Sequence, residues 1–223
     1  MTKITTTACF IPVKSRSTRV PGKNLKLLNG KPLFEYIIDV ARSSNSFDEI
    51  FVDTDNDDVK KYCEKVGVTA IERDPELAKD SANGNDLIND WYSKFSDFDY
   101  YFQLFATSPF TKKETIKSCV QILRENDREK KNDSIFTAHK KCGWYWYEGN
   151  PINYDPIVLP RSQDAKHVIS ETTALYGITL EALKNIKCRI GRNPYIYLVD
   201  DIESMDIDSE FDFKIAEIIA SER

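Results

Sequence analysis

The sequence predicts a three-layer α/β/α domain built on a mostly parallel sheet. Three observations carry that prediction. Strand-like and helix-like segments alternate along nearly the whole chain, which implies right-handed crossovers and a sheet covered on both faces. The 223 residues are enough for one large domain, here residues 1–223. At 41% hydrophobic and 30% charged residues, the mixture is too balanced for a disordered or membrane-spanning chain.

The elements follow in order. Thr5 to Val13 reads as the first strand, carrying the apolar run Ala8-Cys9-Phe10-Ile11. Leu33, Ile37, Val40 and Ala41 recur at i, i+4, i+7 and i+8, one face of an amphipathic helix. Glu49 to Asp53 is a short strand, Asp57 to Val66 a helix stopped by Gly67, and Val68 to Arg73 a third strand. Asp86 to Phe95 reads as helical and Tyr100 to Phe105 as an aromatic strand. Ile116, Cys119, Val120 and Leu123 then mark the buried face of the next helix. A strand at Ser134 to Lys140 precedes an irregular stretch, 141–170, in which Trp144, Tyr145, Trp146 and Tyr147 cluster before the turn Glu148-Gly149-Asn150-Pro151. That stretch is too long for an ordinary connection and reads as a lid or a protruding oligomerisation arm. Strands at Thr172 to Ile178 and Tyr195 to Val199 flank a short helix from Leu180. A last helix presents Phe211, Ile215, Ile218 and Ile219 on one face.

Several function classes are disfavoured by composition. Five cysteines, Cys9, Cys63, Cys119, Cys142 and Cys188, lie far apart without a C-x-x-C pair, which fits reduced thiols better than disulfides or zinc. Only His139 and His167 could supply imidazole, so histidine-based metal sites and triads are poor fits. A net charge of −5 argues against general binding to nucleic acid or anionic membranes. The N-terminal residues lack a signal-peptide core, and the expected location is cytoplasmic.

Charge is distributed unevenly. No Asp or Glu occurs from Met1 to Phe34, where the chain average would place about five. The loop after the first strand, Lys14-Ser15-Arg16-Ser17-Thr18-Arg19-Val20-Pro21-Gly22-Lys23-Asn24, combines hydroxyls with four cations. Ligands of such sheets bind outside the carboxyl ends of the strands, which is where this loop falls. Hydroxyls and backbone N–H groups can hydrogen-bond phosphate oxygens while Arg and Lys neutralise their charge. A solvated cationic face is the competing reading. Neither a Walker A loop nor a G-x-G-x-x-G fingerprint is present.

The segment from Ile11 to Leu33, with Ser17-Thr18-Arg19-Val20-Pro21-Gly22-Lys23 at its centre, resembles the opening of the acylneuraminate cytidylyltransferases (CMP-sialic acid synthetases) and of the related CMP-Kdo synthetases. Val52-Asp53-Thr54-Asp55, Arg73-Asp74-Pro75-Glu76-Leu77-Ala78-Lys79-Asp80, Thr107-Ser108-Pro109 and Asp206-Ile207-Asp208 follow in the family's order. The resemblance implies a Rossmann-like nucleotide-binding domain and a homodimer reached through the 141–170 arm. It also implies transfer of CMP from CTP to an anionic sugar acid with Mg²⁺ and release of pyrophosphate. On this reading Lys14, Ser15, Arg16, Ser17, Arg19 and Lys23 hold the triphosphate, Arg19 and Lys23 stabilise the departing pyrophosphate, and Asn24 and Arg73 assist the nucleotide. Gln103, Phe105, Thr107 and Arg161 fall on the acceptor side.

The chain also departs from the family. Lys14 stands where relatives usually have Arg, and Phe105 where sialic acid synthetases place Gln. Gln103 could substitute only in a deeper pocket, and the family's Arg near the Thr172 strand is replaced by Ile169 or Ser170. The acceptor end is therefore expected to be altered.

Two carboxylate pairs compete for the metal. Mg²⁺ takes oxygen ligands, commonly one or two carboxylates with phosphate oxygens and water. Asp206 and Asp208 would project from one face of an extended Met205 to Asp208, although Asp208 could instead cap the last helix. Asp53 and Asp55 form a D-x-D after a strand, the device of metal-dependent A-type glycosyltransferases, and that is the first rival function. A catalytically silent nucleotide-binding module is the second.

Overall fold

Residues 5–222 are described by the computed structural model. In chain order they form β1 (Thr7–Val13), the two-residue strands β2 (Leu27–Leu28) and β3 (Lys31–Pro32), α1 (Leu33–Ser44), β4 (Glu49–Thr54), α2 (Asp57–Val66), β5 (Thr69–Glu72) and α3 (Gly84–Lys94). There follow β6 (Tyr100–Leu104), α4 (Lys113–Arg128), β7 (Ser134–Lys141), β8 (Trp146–Tyr147), β9 (Asn150–Pro151), β10 (Val168–Thr179), α5 (Leu180–Ile186), β11 (Pro194–Val199) and α6 (Glu210–Ser221). Seven strands make one sheet in the order β11-β7-β10-β6-β1-β4-β5. Only β10 runs antiparallel to its neighbours β6 and β7. The expected three-layer, mostly parallel architecture is the one observed.

Side-chain alternation along β1 builds both faces. Cys9, Ile11 and Val13 pack with Ile37, Ile38 and Ala41 of α1, Val59 and Cys63 of α2, and the Ile116, Cys119, Val120 and Leu123 face of α4. Ala8 and Phe10 point the other way, into Leu87, Ile88 and Trp91 of α3 and Leu183 of α5. Phe10 stacks on Phe51 at 5.0 Å and on Trp91 at 4.9 Å. Truncating a ring so placed costs about 3–5 kcal/mol. The helix boundaries have local causes: Asn56 caps α2 by accepting from the Asp58 and Val59 N–H groups, and Gly67 ends it at φ 70°.

The face predicted for the last helix overlaps the buried one only in part. Phe213, Ala216 and Ala220 of α6 pack on Leu28, Leu33, Phe110 and Ile207, whereas Phe211 is 70% and Ile218 57% exposed. Small residues at 216 and 220 let α6 approach closely; of the four residues expected on the buried face, Ile219 packs partly buried against this cluster and Ile215 is half-buried, while Phe211 and Ile218 point outward.

The 141–170 stretch is more ordered than expected. Strands β7 and β10 extend into it, pairing Val168 with Lys141, and β8 and β9 form a short antiparallel ladder. Buried Asn153 ties it together, donating to the Gly143 and Lys166 carbonyls and accepting from the Tyr145 N–H. Among the described residues the five cysteines are free thiols, and no helix is long and apolar enough to cross a membrane.

Candidate functional site

A cleft of about 450 Å³ opens at the carboxyl ends of the parallel strands. Its walls come from the segment after β1 (Lys14, Ser17, Thr18, Arg19, Lys23, Asn24), from Arg73 after β5, from Phe105 to Thr107 after β6, and from Asp206 and Asp208 before α6. Buried Val20 anchors the first of these loops, and Gly22 at φ 66° turns it into a single 3-10 turn, Lys23–Leu25. Asn24 then donates to the Lys14 carbonyl at 2.9 Å and closes the loop on itself. Ser15 and Arg16 stand outside the cleft wall; Arg16 is exposed.

The loop has no acids in sequence, yet three carboxylates reach it in space. Asp55 accepts from the Ser15 N–H at 2.7 Å, Asp80 pairs with Lys14 at 2.7 Å, and Asp208 Oδ1 lies 2.7 Å from Arg19 Nη2 and 3.6 Å from Lys23 Nζ. Lys14 and the Thr18 hydroxyl hold the Asp80 carboxyl below its usual range, Lys14 being the larger influence. Lys23 is buried and donates to the Ile207 carbonyl. Burial lowers its pKa, and Asp208 and Asp206 act in the opposite direction.

Asp206 and Asp208 both line the cleft. The Thr173 hydroxyl donates to Asp206 Oδ2 at 2.7 Å, while buried Oδ1 has no hydrogen-bond partner. Burial raises the Asp206 pKa, the Thr107 and Thr173 hydroxyls oppose the rise, and Asp208 adds to it. Thr173 reaches Asp206 because β10 shifts register between Glu171 and Tyr176, leaving Thr173 at φ 57°, a strained conformation for a β-branched residue. Asp208 does not cap α6. Ser209 does, in a capping box with Asp212.

The other pair is engaged differently. Asp53 is 2% exposed and receives Arg73 Nε at 3.2 Å, Arg73 Nη2 at 3.2 Å and Trp91 Nε1 at 2.8 Å. Both of its carboxylate oxygens are used by the fold, and Asp55 is held by Ser15, so the D-x-D metal reading finds no free oxygen pair. Arg73 borders the cleft but is 4% exposed and bound to Asp53.

On the acceptor side Phe105 and Thr107 line the cleft; Gln103 and Arg161 do not. Gln103 is fully buried with its amide donating to the Gly84 carbonyl at 3.1 Å, so the deeper pocket it required is absent. Arg161 is exposed in the 141–170 segment and paired with Asp164 at 2.5 Å. Polar lining residues that the sequence reading did not place in the site include Lys79, Asp80, Thr173 and Arg189. Asp80 lay within a matched segment, but Thr173 depends on a bulge and Arg189 on the packing of an unpatterned loop.

A family model described as cytidylyltransferase matches residues 8–176. The chain is 27% identical over 218 residues to N-acylneuraminate cytidylyltransferase A of Danio rerio, covering 94% of this chain and 50% of that protein. It is 29% identical over 215 residues to N-acylneuraminate cytidylyltransferase of Streptococcus agalactiae serotype V, covering 92% and 51%. The chain thus spans about half the length of these curated relatives. It is 28% identical to 3-deoxy-manno-octulosonate cytidylyltransferase of Thermodesulfovibrio yellowstonii over 201 residues, covering 80% of this chain and 77% of that one. Its fold matches a CMP:2-keto-3-deoxy-manno-octonic acid synthetase solved with CTP at a TM-score of 0.71 and 18% identity, covering 98% of this chain and all of the other. With a family match spanning most of its length and covering the cleft loops after β1, β5 and β6, the chain belongs to the cytidylyltransferase family.

Proposed function

We propose that this cleft transfers CMP from CTP to an anionic sugar acid and releases pyrophosphate. The observation that carries the reading is the meeting of Asp208 with Arg19 and Lys23, which brings an anion-binding loop and a carboxylate pair to one point of the cleft. The acceptor hydroxyl attacks the α-phosphorus and gives up its proton to solvent, and the bond to the β-phosphate oxygen breaks as pyrophosphate leaves. Such a displacement needs positioning and charge neutralisation more than covalent help. Lys14, Ser17, Arg19 and Lys23 would hold the phosphates, with Arg19 and Lys23 stabilising the leaving group. Ser15 and Arg16 would contribute through the loop's backbone and field, and Asn24 by keeping the loop closed. Arg73 would act indirectly, by bracing Asp53 at the end of β4.

Enzymes of this kind generally use a divalent metal. The residues fit one. Asp206 Oδ1 is buried without a partner and Asp208 stands beside it in the cleft. Among the described residues no three His, Cys, Asp or Glu groups could form a complete protein cage. Two carboxylates would leave the rest of a Mg²⁺ shell to water and phosphate oxygens. Bound by Asp206 and Asp208, Mg²⁺ would supply Lewis-acid charge neutralisation at the phosphates.

The curated relatives are named for N-acylneuraminate and 3-deoxy-manno-octulosonate. Phe105 gives the acceptor wall an aromatic face where sialic acid synthetases have an amide, so N-acetylneuraminate should be a poor substrate. The exposed aromatic and aliphatic side chains of the arm fit a homodimer, and a CTP-consuming reaction fits the cytoplasm. Pyrophosphate release from each of the four nucleoside triphosphates, assayed with Mg²⁺ against a panel of sugar acids, tests the proposal. CTP-selective, acid-dependent release is expected; release from another nucleotide in preference to CTP, or none, would overturn it.

A further inference from the structure

Among the described residues, Arg189 is the one cation of the cleft wall without a carboxylate partner. It lies between α5 and β11, and its guanidinium carbon sits 3.7 Å from the centroid of the Tyr176 ring and 5.7 Å from that of Phe105. Those contacts orient the guanidinium without neutralising it. Among the described residues no carboxylate lies within ion-pair distance of it, and its side chain makes no hydrogen bond. Lys14, Arg19, Lys23 and Arg73, the other cleft cations treated above, each have a carboxylate partner.

The surroundings hold Arg189 in place. Its backbone N–H donates to Asn85 Oδ1 at 2.9 Å, which ties the loop to the first turn of α3. A Cβ added to Gly84 would fall 2.4 Å from Arg189 Nη1, so the absence of a side chain there makes room for the guanidinium. Arg189 therefore stands against the start of an eleven-residue helix, where the dipole adds a second positive influence. The nearest ring, Tyr176, spends its hydroxyl on Glu171 at 2.7 Å and leaves its face to the guanidinium. Phe105 meets the Tyr176 ring edge-on and completes an aromatic wall around the charge.

Resting on the reading of the cleft as a CMP-transfer site, we infer that Arg189 is the residue that recognises the acid group of the acceptor. A preorganised, unpaired guanidinium on aromatic faces favours a planar anion that it can bind through two parallel hydrogen bonds. It reaches the cleft wall from the loop between α5 and β11, apart from the loop after β1 that supplies Lys14, Arg19 and Lys23.

The test is calorimetric titration of 3-deoxy-manno-octulosonate, N-acetylneuraminate and the carboxamide of each into enzyme saturated with Mg²⁺ and an α,β-methylene analogue of CTP. Arg189→Met keeps the length and ring packing but removes the charge. It should weaken binding of the better acid about 10- to 100-fold, leave the carboxamides unchanged, and leave the CTP analogue's affinity and the melting temperature unaltered. Arg189→Lys should restore part of the loss, because it keeps the charge and loses the fork. Equal binding of the acid by wild type and Arg189→Met would overturn the inference, as would equal losses for acid and carboxamide, or no acid binding by the wild type. Failure of the CMP-transfer reading looks different: the acid binds in an Arg189-dependent way, yet CTP yields no pyrophosphate.

Discussion

The Arg19 guanidinium rests on Asp208, Nη2 to Oδ1 at 2.7 Å, so the tip of the loop after β1 touches the carboxylate pair before α6 across the mouth of the cleft. Two segments almost a full chain apart are joined by this contact and by buried Lys23 beside the same carboxylate. Both side chains of the pair are substantially exposed, so the contact adds only about 0–1 kcal/mol to stability.

Removing either loop cation should therefore affect turnover more than folding. Arg19→Ala should lower kcat about 100-fold, the scale of losing one donor to a developing charge, with an unchanged melting temperature. Lys23→Ala should match that loss and also lower the melting temperature, because its ammonium is buried against the Ile207 carbonyl. Steady-state kinetics with thermal melts separate the two effects. Full activity in both variants would return the loop to a solvated cationic face.

Asp53 should behave as a structural residue. Its carboxylate is shared by Arg73 and Trp91 in a buried network, and breaking one partner of such a pair costs about 3–5 kcal/mol. Asp53→Asn should fall markedly in urea midpoint while the folded fraction keeps its turnover number. Loss of turnover in a variant of wild-type stability would restore the glycosyltransferase reading.

Asp206 should make ligand-free stability depend on pH. Burial raises its folded pKa above the unfolded value, so the native state binds the proton more tightly. The resulting stability is complete below the unfolded aspartate pKa and is lost as pH rises through the raised folded value. Without ligand, Asp206→Asn should melt above wild type at pH 7, and the difference should shrink as pH falls through the aspartate range. A lower melting temperature for the variant at neutral pH would contradict the assignment.

The arm should mediate assembly. Ile157 is 94%, Val158 74% and Leu159 57% exposed, and Trp146 and Tyr147 of the same arm are exposed as well, apolar surface that favours an interface. Light scattering at micromolar concentration should give the dimer mass. Ile157→Asp combined with Leu159→Asp should give the monomer, and a monomeric wild type would count against the arm.

Periodicity made most of the fold legible. The strands and helices expected through α4 appear within a few residues, because their buried faces are made of large apolar side chains spaced as each element requires. Where burial relies on small residues, as with Ala216 and Ala220, the pattern caught only the Ile219 edge of the buried face of α6. The site was legible where residues are contiguous, in the loop and in Asp206-Ile207-Asp208. It was not legible where long-range partners decide a residue's role. Nothing near Asp53 in sequence announces that Arg73 and Trp91 occupy it, and nothing near Arg189 announces Tyr176. Thr173 enters only because β10 bulges.

The most direct test of CMP transfer is a phosphorus NMR time course of CTP with Mg²⁺ and 3-deoxy-manno-octulosonate, run on wild type and on Asp208→Asn. In the wild type the account predicts pyrophosphate and a cytidine monophosphate diester appearing in equal amounts, with neither formed when the sugar acid is omitted. It predicts turnover at least about 100-fold slower in Asp208→Asn, from loss of a metal-holding carboxylate, at an unchanged melting temperature. Appearance of CDP and inorganic phosphate instead, or full activity in Asp208→Asn, would contradict it.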